Sequence, residues 1–524
     1  MVIDKLVECG IDKDSIRQIS RDTLIVQVDR EHVDDVIKCL VIDKNAHFST
    51  CLGVDLSGIE TSGFSLYYIL VLKDKKIVVE TKLSSGECVK PVHRAVPAAT
   101  WCECETMDLL GLKACVGDDI DKYRFILHWG ISREIRPLRK TYPYNYKLSR
   151  VATCEIERPR DYVEIDPHHP FFYEHEDFLA KVENGKIVDV QYIGSYITRG
   201  IEKIGETRLN IDQIPFIAER ICGICGFTHS TAYCQAVENA LKIEIPERAR
   251  FERTLMLELE RLESHLLILA LIAYAIKLRE YFVKLLKVRE YIMNICEILV
   301  GNRKMYGLNI VGGVRFGFTK EQVDKCVKIF EEFKVNARKV LEDFEKCEEL
   351  NSLKNIGILP KEDAHKLGAV GPVLRASGID YDVRKYVPYA AYRDVDFEVP
   401  VMDSGDTYAR AVVRIRESYE SIKIVDQIFK RDEIIKGDLK VEYEVSPGKV
   451  GVGLTEAPRG ENVHFIITGH DMKLYRWKVR APTYANLAVL RRILIGESID
   501  KAPIIIASLD PCLSCTDRLV MVRV

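Results

Sequence analysis

Two Cys-x-x-Cys pairs stand out among the 16 cysteines of this 524-residue sequence. One is Cys222-Gly-Ile-Cys225; the other, close to the C-terminal end, is Cys512-Leu-Ser-Cys515. Four thiolates brought together make a soft tetrahedral cage that suits zinc, an iron–sulfur cluster, or nickel with iron. Spacing alone favours structural zinc. Zinc ribbons, however, keep their pairs within about a few tens of residues, whereas more than half the chain separates these two. A cage closed between mid-chain and terminus, across a helical region, points to a metal buried in a bundle core.

The remaining cysteines carry weaker signals. Cys102 and Cys104, beside Glu103 and Glu105, could form an extra metal site, but a small buried hydrophobe is the default role of cysteine. The same default applies to Cys9, Cys39, Cys51, Cys88, Cys115, Cys154, Cys234, Cys296, Cys326 and Cys347, which show no paired spacing. No fourfold cysteine run for an iron–sulfur cluster is present, so electrons are expected from clusters on a partner chain.

The bulk numbers set the frame for these groups. Hydrophobic residues make up 47% and charged residues 30%, ordinary for a globular chain and unlike a disordered or fibrous one. The length allows two to four domains. A net charge of -3 predicts no general affinity for nucleic acid or anionic lipid. One basic run, Arg133-Glu-Ile-Arg136-Pro-Leu-Arg139-Lys140, reads as a solvated or partner-facing loop. The start, Met1-Val-Ile-Asp-Lys-Leu, carries no export signal, which implies a reducing cytoplasm where clustered thiols mean metal or catalysis. The longest apolar run, Leu266 to Ile276, is far shorter than the ~20 residues of a spanning helix. It reads as a buried core helix, so membrane attachment would come through partners.

Certain elements must position the pairs. Residues 1–145 read as a small α+β accessory domain: a strand at Thr23–Val28, a short helix at Glu31–Leu40, a hairpin of Phe64–Leu72 with Lys76–Leu83, and a helix over Pro97–Leu110. A polar linker, 146–161 within a proline-containing stretch, precedes the second domain, 162–524. There Phe178 to Val190 forms a hairpin around Asn184-Gly185. Helical periodicity covers Glu247–Val300, Thr319–Leu350 and Asp406–Lys430. The predicted fold is an α+β domain followed by a mainly α-helical bundle with small peripheral sheets.

The flanks of the pairs resemble a known family. Glu219-Arg220-Ile-Cys222-Gly-Ile-Cys225-Gly-Phe-Thr-His229 and Asp510-Pro511-Cys512-Leu-Ser-Cys515-Thr-Asp-Arg518 are similar to the two signature motifs of [NiFe] hydrogenase large subunits. The resemblance implies that Cys222 and Cys512 are terminal nickel ligands, while Cys225 and Cys515 bridge nickel to an iron carrying carbon monoxide and cyanide. It also admits a magnesium ion. His229 would hydrogen-bond a bridging sulfur. Glu456-Ala-Pro458-Arg459-Gly460 resembles the segment that sets an arginine over the metals, with Asp510 orienting Arg459. Pro482-Thr483, with Asn486, resembles the segment beside a cyanide. The stretch Asp166-Pro-His-His169-Pro170 to Glu176 resembles the start that precedes the proton-relay glutamate, which makes Glu174 the expected relay with Glu176 behind it. Cys512, Arg459 and Glu174 are the expected catalytic residues.

Other stretches resemble the 49 kDa quinone-site subunit of complex I: Arg199-Gly-Ile-Glu202, Gly371-Pro-Val-Leu-Arg375 to Asp382, and Pro388 to Pro400. Trp101 to Pro143 resembles the 30 kDa accessory subunit. Energy-converting hydrogenases share these segments, and the fused order resembles formate hydrogenlyase-type large subunits. That group implies an iron–sulfur small subunit, ferredoxin-like subunits and membrane antiporter-like subunits as partners, with the chain on the inner face of the cytoplasmic membrane. NAD(P) binding in this chain is not expected. The rival readings are a metal-free complex I-type core subunit and a zinc-stabilised scaffold. The tail Leu519–Val524 reads equally as a terminal strand or a processing remnant.

Overall fold

The computed structural model describes residues 2–59, 63–115, 134–143, 161–165, 177–193 and 199–516. The first part is built on a five-stranded sheet ordered β1-β2-β5-β4-β3. Its strands are β1 (Arg17–Ser20), β2 (Thr23–Gln27), β3 (His47–Asp55), β4 (Phe64–Leu72) and β5 (Lys75–Leu83). Helices α1 (Val2–Glu8), α2 (Val33–Lys38) and α3 (Thr100–Leu110) accompany it. The expected β4–β5 hairpin forms, with Leu72 opposite Lys75. Strand β3 escaped the sequence reading because its buried run is interrupted by Ser49, Thr50 and Gly53, whereas the equally buried β4 is nearly all apolar.

Two expectations for this part are corrected. Cys9 and Cys39, and likewise Cys88 and Cys115, are not isolated buried hydrophobes but disulfide partners, with Cα separations of 5.6 and 5.0 Å. The second bond ties the short strand β6 (Cys88–Val89) to the residue that follows β7 (Lys113–Ala114), and the two strands pair in parallel. Spacings of 30 and 27 residues gave no sequence signal, because only the fold brings these ends together. Cross-links over loops of this size stabilise by roughly 3–4 kcal/mol each through loss of loop entropy in the unfolded chain. Reduction is therefore expected to lower the melting temperature, with four further thiols becoming alkylatable by intact mass. An unchanged melting temperature after full reduction would refute that contribution.

The basic run is the second correction. Its described basic residues dock rather than face solvent: Arg136 donates to the Asp108 carbonyl (2.9 Å) and Arg139 to that of Leu110 (2.7 Å), at the C-terminal end of α3. Cations there complement the unpaired carbonyls of the last helical turn. Lys140 pairs with Glu206 at 2.9 Å. Arg133 and Cys154 lie outside the described residues, and Cys347 is only partly buried, against Glu349.

In the second part, β8 (Tyr162–Ile165), β9 (Asp177–Glu183) and β10 (Lys186–Ile193) form a small sheet. Asn184 and Gly185 at its hairpin both have positive φ, as a two-residue turn of this kind requires. Helices α4 (Ile201–Thr207), α5 (Ile214–Glu219) and α6 (Gly226–Leu241) follow. The long pattern expected over Glu247–Val300 is two helices, α7 (Glu247–Ala275) and α8 (Arg279–Val300). The strand pair β11 (Asn309–Ile310) and β12 (Gly313–Val314) leads to α9 (Lys320–Glu345). Three short helices, α10 (Lys361–Lys366), α11 (Gly371–Arg375) and α12 (Val383–Tyr386), precede α13 (Thr407–Phe429). Thr319 caps α9 in a capping box, and Asp406 caps α13 by accepting from the Ala409 N–H. The apolar run Leu266–Ile276 lies within and just beyond α7, and among the described residues no helix is long and apolar enough to cross a membrane.

A three-stranded sheet, β13 (Val450–Ala457), β14 (Gly460–Thr468) and β15 (Leu474–Arg480), completes the framework. The helices and small sheets match the expected class, but this sheet is interior rather than peripheral. One face receives α6, whose approach to β13 needs glycine: a Cβ on Gly453 would stand 1.9 Å from the Ala232 carbonyl oxygen. Toward the first part, Arg480 and Arg476 donate to the carbonyls of Ser49 and Gly53 on β3 (2.8 and 3.2 Å), and Tyr67 meets Phe465. One continuous apolar core accordingly includes Ile25, Leu52 and Tyr67 together with Leu454 and Phe465. The chain ends through α14 (Pro482–Asn486), α15 (Leu490–Leu494), α16 (Ala502–Ser508) and α17 (Leu513–Thr516).

Candidate metal centre

The first cysteine pair occupies the turn between α5 and α6, and the second begins just before α17. α17 packs on α14, the Cys515 sulfur reaches Cys225 and His229 at the start of α6, and all four thiol side chains are at most 3% exposed. Cys222 Sγ lies 3.1 Å from Cys512 Sγ, which lies 3.1 Å from Cys515 Sγ; Cys515 Sγ is 3.8 Å from Cys225 Sγ. Cys222 Sγ also accepts the backbone N–H groups of Ile224 and Cys225, each at 3.2 Å. Such a nest favours an anionic sulfur.

The donor set fits a soft metal centre. Burial opposes ionisation of Cys222, but hydrogen bonds from Cys225, Cys512 and Cys515, with the charge of Arg459, hold its thiol well below the ordinary range. Cys225 is driven well up by its hydrogen bond with Cys222, and Cys515 by burial. The protein alone therefore favours the Cys222 thiolate and resists those of Cys225 and Cys515. Several anionic sulfurs in this space require a bound cation, which is how thiolate ligands ionise.

Around the sulfurs stand the residues that the sequence singled out. His229, on α6, places Nε2 3.6 Å from Cys515 Sγ. Arg459 lies in the turn between β13 and β14, where Pro458 fixes the entering backbone. It donates through Nη2 to Asp510 Oδ1 (2.7 Å) and through Nε to the Asp510 carbonyl (2.5 Å). Asp510 holds φ at +56°, a left-handed geometry uncommon for a residue with a Cβ, immediately before Pro511-Cys512. Thr483 Oγ1 accepts the Cys512 N–H at 3.0 Å, on α14, which Pro482 opens. Asn486 donates to the Arg459 carbonyl at 3.3 Å and accepts from the Val370 N–H at 2.9 Å. Gly371, at φ +63°, lets α11 pass this turn: a Cβ there would sit 2.3 Å from the Arg459 carbonyl oxygen. Glu174, Glu176 and Arg518 lie outside the described residues.

The structure adds residues that the sequence reading did not single out for the site. Arg199 donates to the carbonyls of Arg220 (2.8 Å), Ile221 (2.9 Å) and Ser514, so one guanidinium ties the backbones of both cysteine turns. The Tyr306 hydroxyl donates to the Cys222 carbonyl at 3.1 Å. Glu260 of α7 accepts the first N–H groups of α6, from Phe227 (2.7 Å) and Thr228 (3.0 Å), and burial pushes it up to about 8. Glu219 accepts from the Gly307 N–H at 2.9 Å and is pushed up to about 7, again by burial. His464 and Trp477, on β14 and β15, extend the chain of contacts that begins at His229. Arg199 carried a signal as the start of a complex I-like stretch, and Glu219 as the first residue of the motif around Cys222; the others join the site through strand and helix packing. Cys102 and Cys104 are buried and, among the described residues, join no group of ligand atoms close enough to hold a metal.

Comparison with known proteins places three family descriptions along the chain. The 30 kDa subunit of respiratory-chain NADH dehydrogenase matches residues 26–147, nickel-dependent hydrogenase matches 199–272, and the 49 kDa subunit matches 279–444 and 436–518. The sequence is 35% identical over 521 residues to formate hydrogenlyase subunit 5 of Escherichia coli (strain K12), covering 96% of this chain and 90% of that one. It is 36% identical to hydrogenase-4 component G of the same organism, covering 88% and 82%. Among solved structures, a chain of the membrane-bound sulfane sulfur reductase, an archaeal respiratory membrane complex, superposes with a TM-score of 0.64 at 29% identity, covering 69% of this chain and 100% of that one.

Proposed function

This chain belongs to the family of energy-converting [NiFe] hydrogenase large subunits, related to the 49 kDa subunit of complex I and fused to a 30 kDa-like part, and from that premise we propose that Cys222, Cys225, Cys512 and Cys515 hold a nickel–iron centre for reversible H2 formation. The observation that carries the reading is the convergence of four buried sulfurs from motifs more than half the chain apart. Cys222 and Cys512 would hold nickel, and Cys225 and Cys515 would serve both nickel and an iron with carbon monoxide and cyanide. When bound, such a centre supplies the soft metal pair at which H2 is cleaved heterolytically.

The protein's own groups do the rest. The buried walls exclude water, so every donor acts at low dielectric. Arg459, fixed by Asp510 at two points, would present a cation to the anionic ligands of the bound centre. Thr483 fixes the Cys512 backbone, and with it the terminal sulfur that takes the proton. Glu174 receives that proton next, with Glu176 behind it. Electrons come from a partner iron–sulfur subunit and ferredoxin-like chains. Residues 1–145 form the accessory domain, 146–161 the linker and 162–524 the catalytic domain. Antiporter-like membrane subunits anchor the complex to the inner face of the cytoplasmic membrane and couple turnover to ion movement.

Metal analysis and infrared spectroscopy of the anaerobically purified, matured complex test the centre. About one nickel and one iron per chain are expected, with iron-bound carbon monoxide and cyanide bands. One zinc per chain, or no metal, and no such bands would overturn the reading. For the relay, Glu174→Gln is expected to keep both metals while slowing D2/H+ exchange by roughly 10²-fold or more, the scale of a lost proton-transfer group. Exchange at the wild-type rate would remove Glu174 from the path.

A further inference from the structure

We propose that Trp477 and His464 are positioning residues that set the tautomer of His229 and thereby aim a hydrogen-bond donor at the Cys515 sulfur. The inference takes the metal centre proposed above as its premise.

Four fully buried groups stand in line: Trp477 (0% exposed), His464 (0%), His229 (1%) and Cys515 (1%). Trp477 Nε1 donates to His464 Nδ1 at 3.2 Å. His464 Nε2 faces His229 Nδ1 at 3.1 Å. His229 Nε2 faces Cys515 Sγ at 3.6 Å. Two of these contacts can in principle run either way, since a neutral imidazole has one donor and one acceptor nitrogen. The first cannot, because an indole nitrogen only donates.

That asymmetry propagates. His464 Nδ1 accepts, so it carries no proton, and the single ring proton of His464 sits on Nε2. His229 Nδ1 must then accept from His464. The ring proton of His229 is left on Nε2, where it points at Cys515. The line is one-way, from the indole to the sulfur. A second hydrogen bond that fixes the tautomer and orientation of a histidine beside a metal also tunes that metal's electronics. At low dielectric, each donor in such a chain polarises the next.

The indole itself cannot turn away. A Cβ on Gly205 would lie 2.4 Å from Trp477 Cε3, so α4 is packed directly on the ring. Tyr233 closes another side with an edge contact at 5.6 Å between centroids. His464 sits in mid-strand on β14, opposite Gly453 and Val479. The orienting donor is thus fixed by the same sheet that carries Arg459 to the metals.

The test uses the matured complex and the metal-free chain together. In the complex, His464→Leu removes the donor to His229, leaves the bridging sulfur more electron-rich, and should move the iron carbonyl band to lower wavenumber. His464→Gln keeps an N–H toward His229 Nδ1 and should leave the band in place. Trp477→Phe should move it in the same direction as His464→Leu. A benzothienyl-alanine at 477, which keeps the bicyclic shape but lacks the N–H, repeats this arm without a packing change. In the 15N-histidine-labelled metal-free chain, His229 and His464 should both be Nε2–H tautomers, and the 477 replacements should release that preference. A wild-type His464 protonated on Nδ1, or a carbonyl band unmoved by His464→Leu, would overturn the proposal. A wild-type complex with no carbonyl band would instead sink the metal-centre reading, and the histidine tautomers would still decide this one.

Discussion

Cys512→Ala is expected to abolish nickel binding and H2 turnover while leaving the protein folded. The Cys512 sulfur is the hub of the cage, 3.1 Å from both Cys222 and Cys515. Loss of a group that merely orients a metal ligand costs about 10–100-fold in affinity or activity. Loss of the ligand itself, which is also the first proton acceptor, should exceed that and take turnover below detection. The fold should persist, because only a small buried sulfur is removed and the backbone anchor, Cys512 N–H to Thr483, is untouched. Nickel content, D2/H+ exchange and melting temperature of the purified complex check the three parts of this expectation. Turnover retained at a substantial fraction of wild type would remove Cys512 from the ligand set.

The second large effect concerns stability. Arg375→Ala is expected to cost roughly 3–5 kcal/mol, as breaking a buried ion pair does, out of a total of about 5–15 kcal/mol for a typical domain. Arg375 is fully buried and holds Glu417 (2.7 Å), Glu456 (2.8 Å) and Asp382 (3.5 Å), besides donating to the Tyr381 carbonyl at 2.9 Å. Removing it strands carboxylates in an apolar interior. The network continues through Arg384 to Glu258 and through Glu417 to His265, so it braces α7, α11, α12 and α13 against β13. Arg375→Lys restores the charge but not the planar fork and should fall between the two. The urea midpoint at constant slope measures the effect.

Its pH dependence follows with a definite sign. Burial raises Asp382 and Glu258, yet their arginine partners win and hold each at about 2. Folded values below the unfolded ones contribute stability that is present above the unfolded pKa and lost as pH falls toward about 2. Without Arg375, Asp382 loses part of that depression. The stability gap between wild type and Arg375→Ala should therefore narrow between about pH 4 and pH 2. Glu456 runs the other way: burial, then the charge of Asp382, push it up to about 7 despite the nearby Arg375. A gap that stayed constant down to pH 2 would show that Asp382 does not depend on Arg375.

How much of this was legible beforehand varies with the kind of signal. The Asn184-Gly185 turn was, because it acts within a few residues of itself, and two helical patterns begin at the residues, Thr319 and Asp406, that cap α9 and α13. Helices with one wet face were legible too. Strand β3 and the sheet β13–β15 were not, because their buried runs mix glycine and polar or charged residues among the apolar ones, whereas the equally buried β4 is a nearly continuous apolar run. The basic run was misread because nothing local says that Arg136 and Arg139 end on the carbonyls of α3.

At the metal centre the division is sharper. Sequence alone determined the donor types of the proposed centre: cysteines at short spacing, with a histidine, an arginine and an aspartate in their flanks, offer soft ligands by residue type and local geometry. Tertiary structure alone decided that the two pairs, 290 positions apart, share one cage. It also decided that Arg199 ties their backbones, that Cys9 meets Cys39 and Cys88 meets Cys115, and that an indole on β15 sits in line with His464 and His229. The reason is range. Residue chemistry and spacing act over a turn or two of chain, whereas the approach of distant segments is fixed by how helices and sheets bury one another.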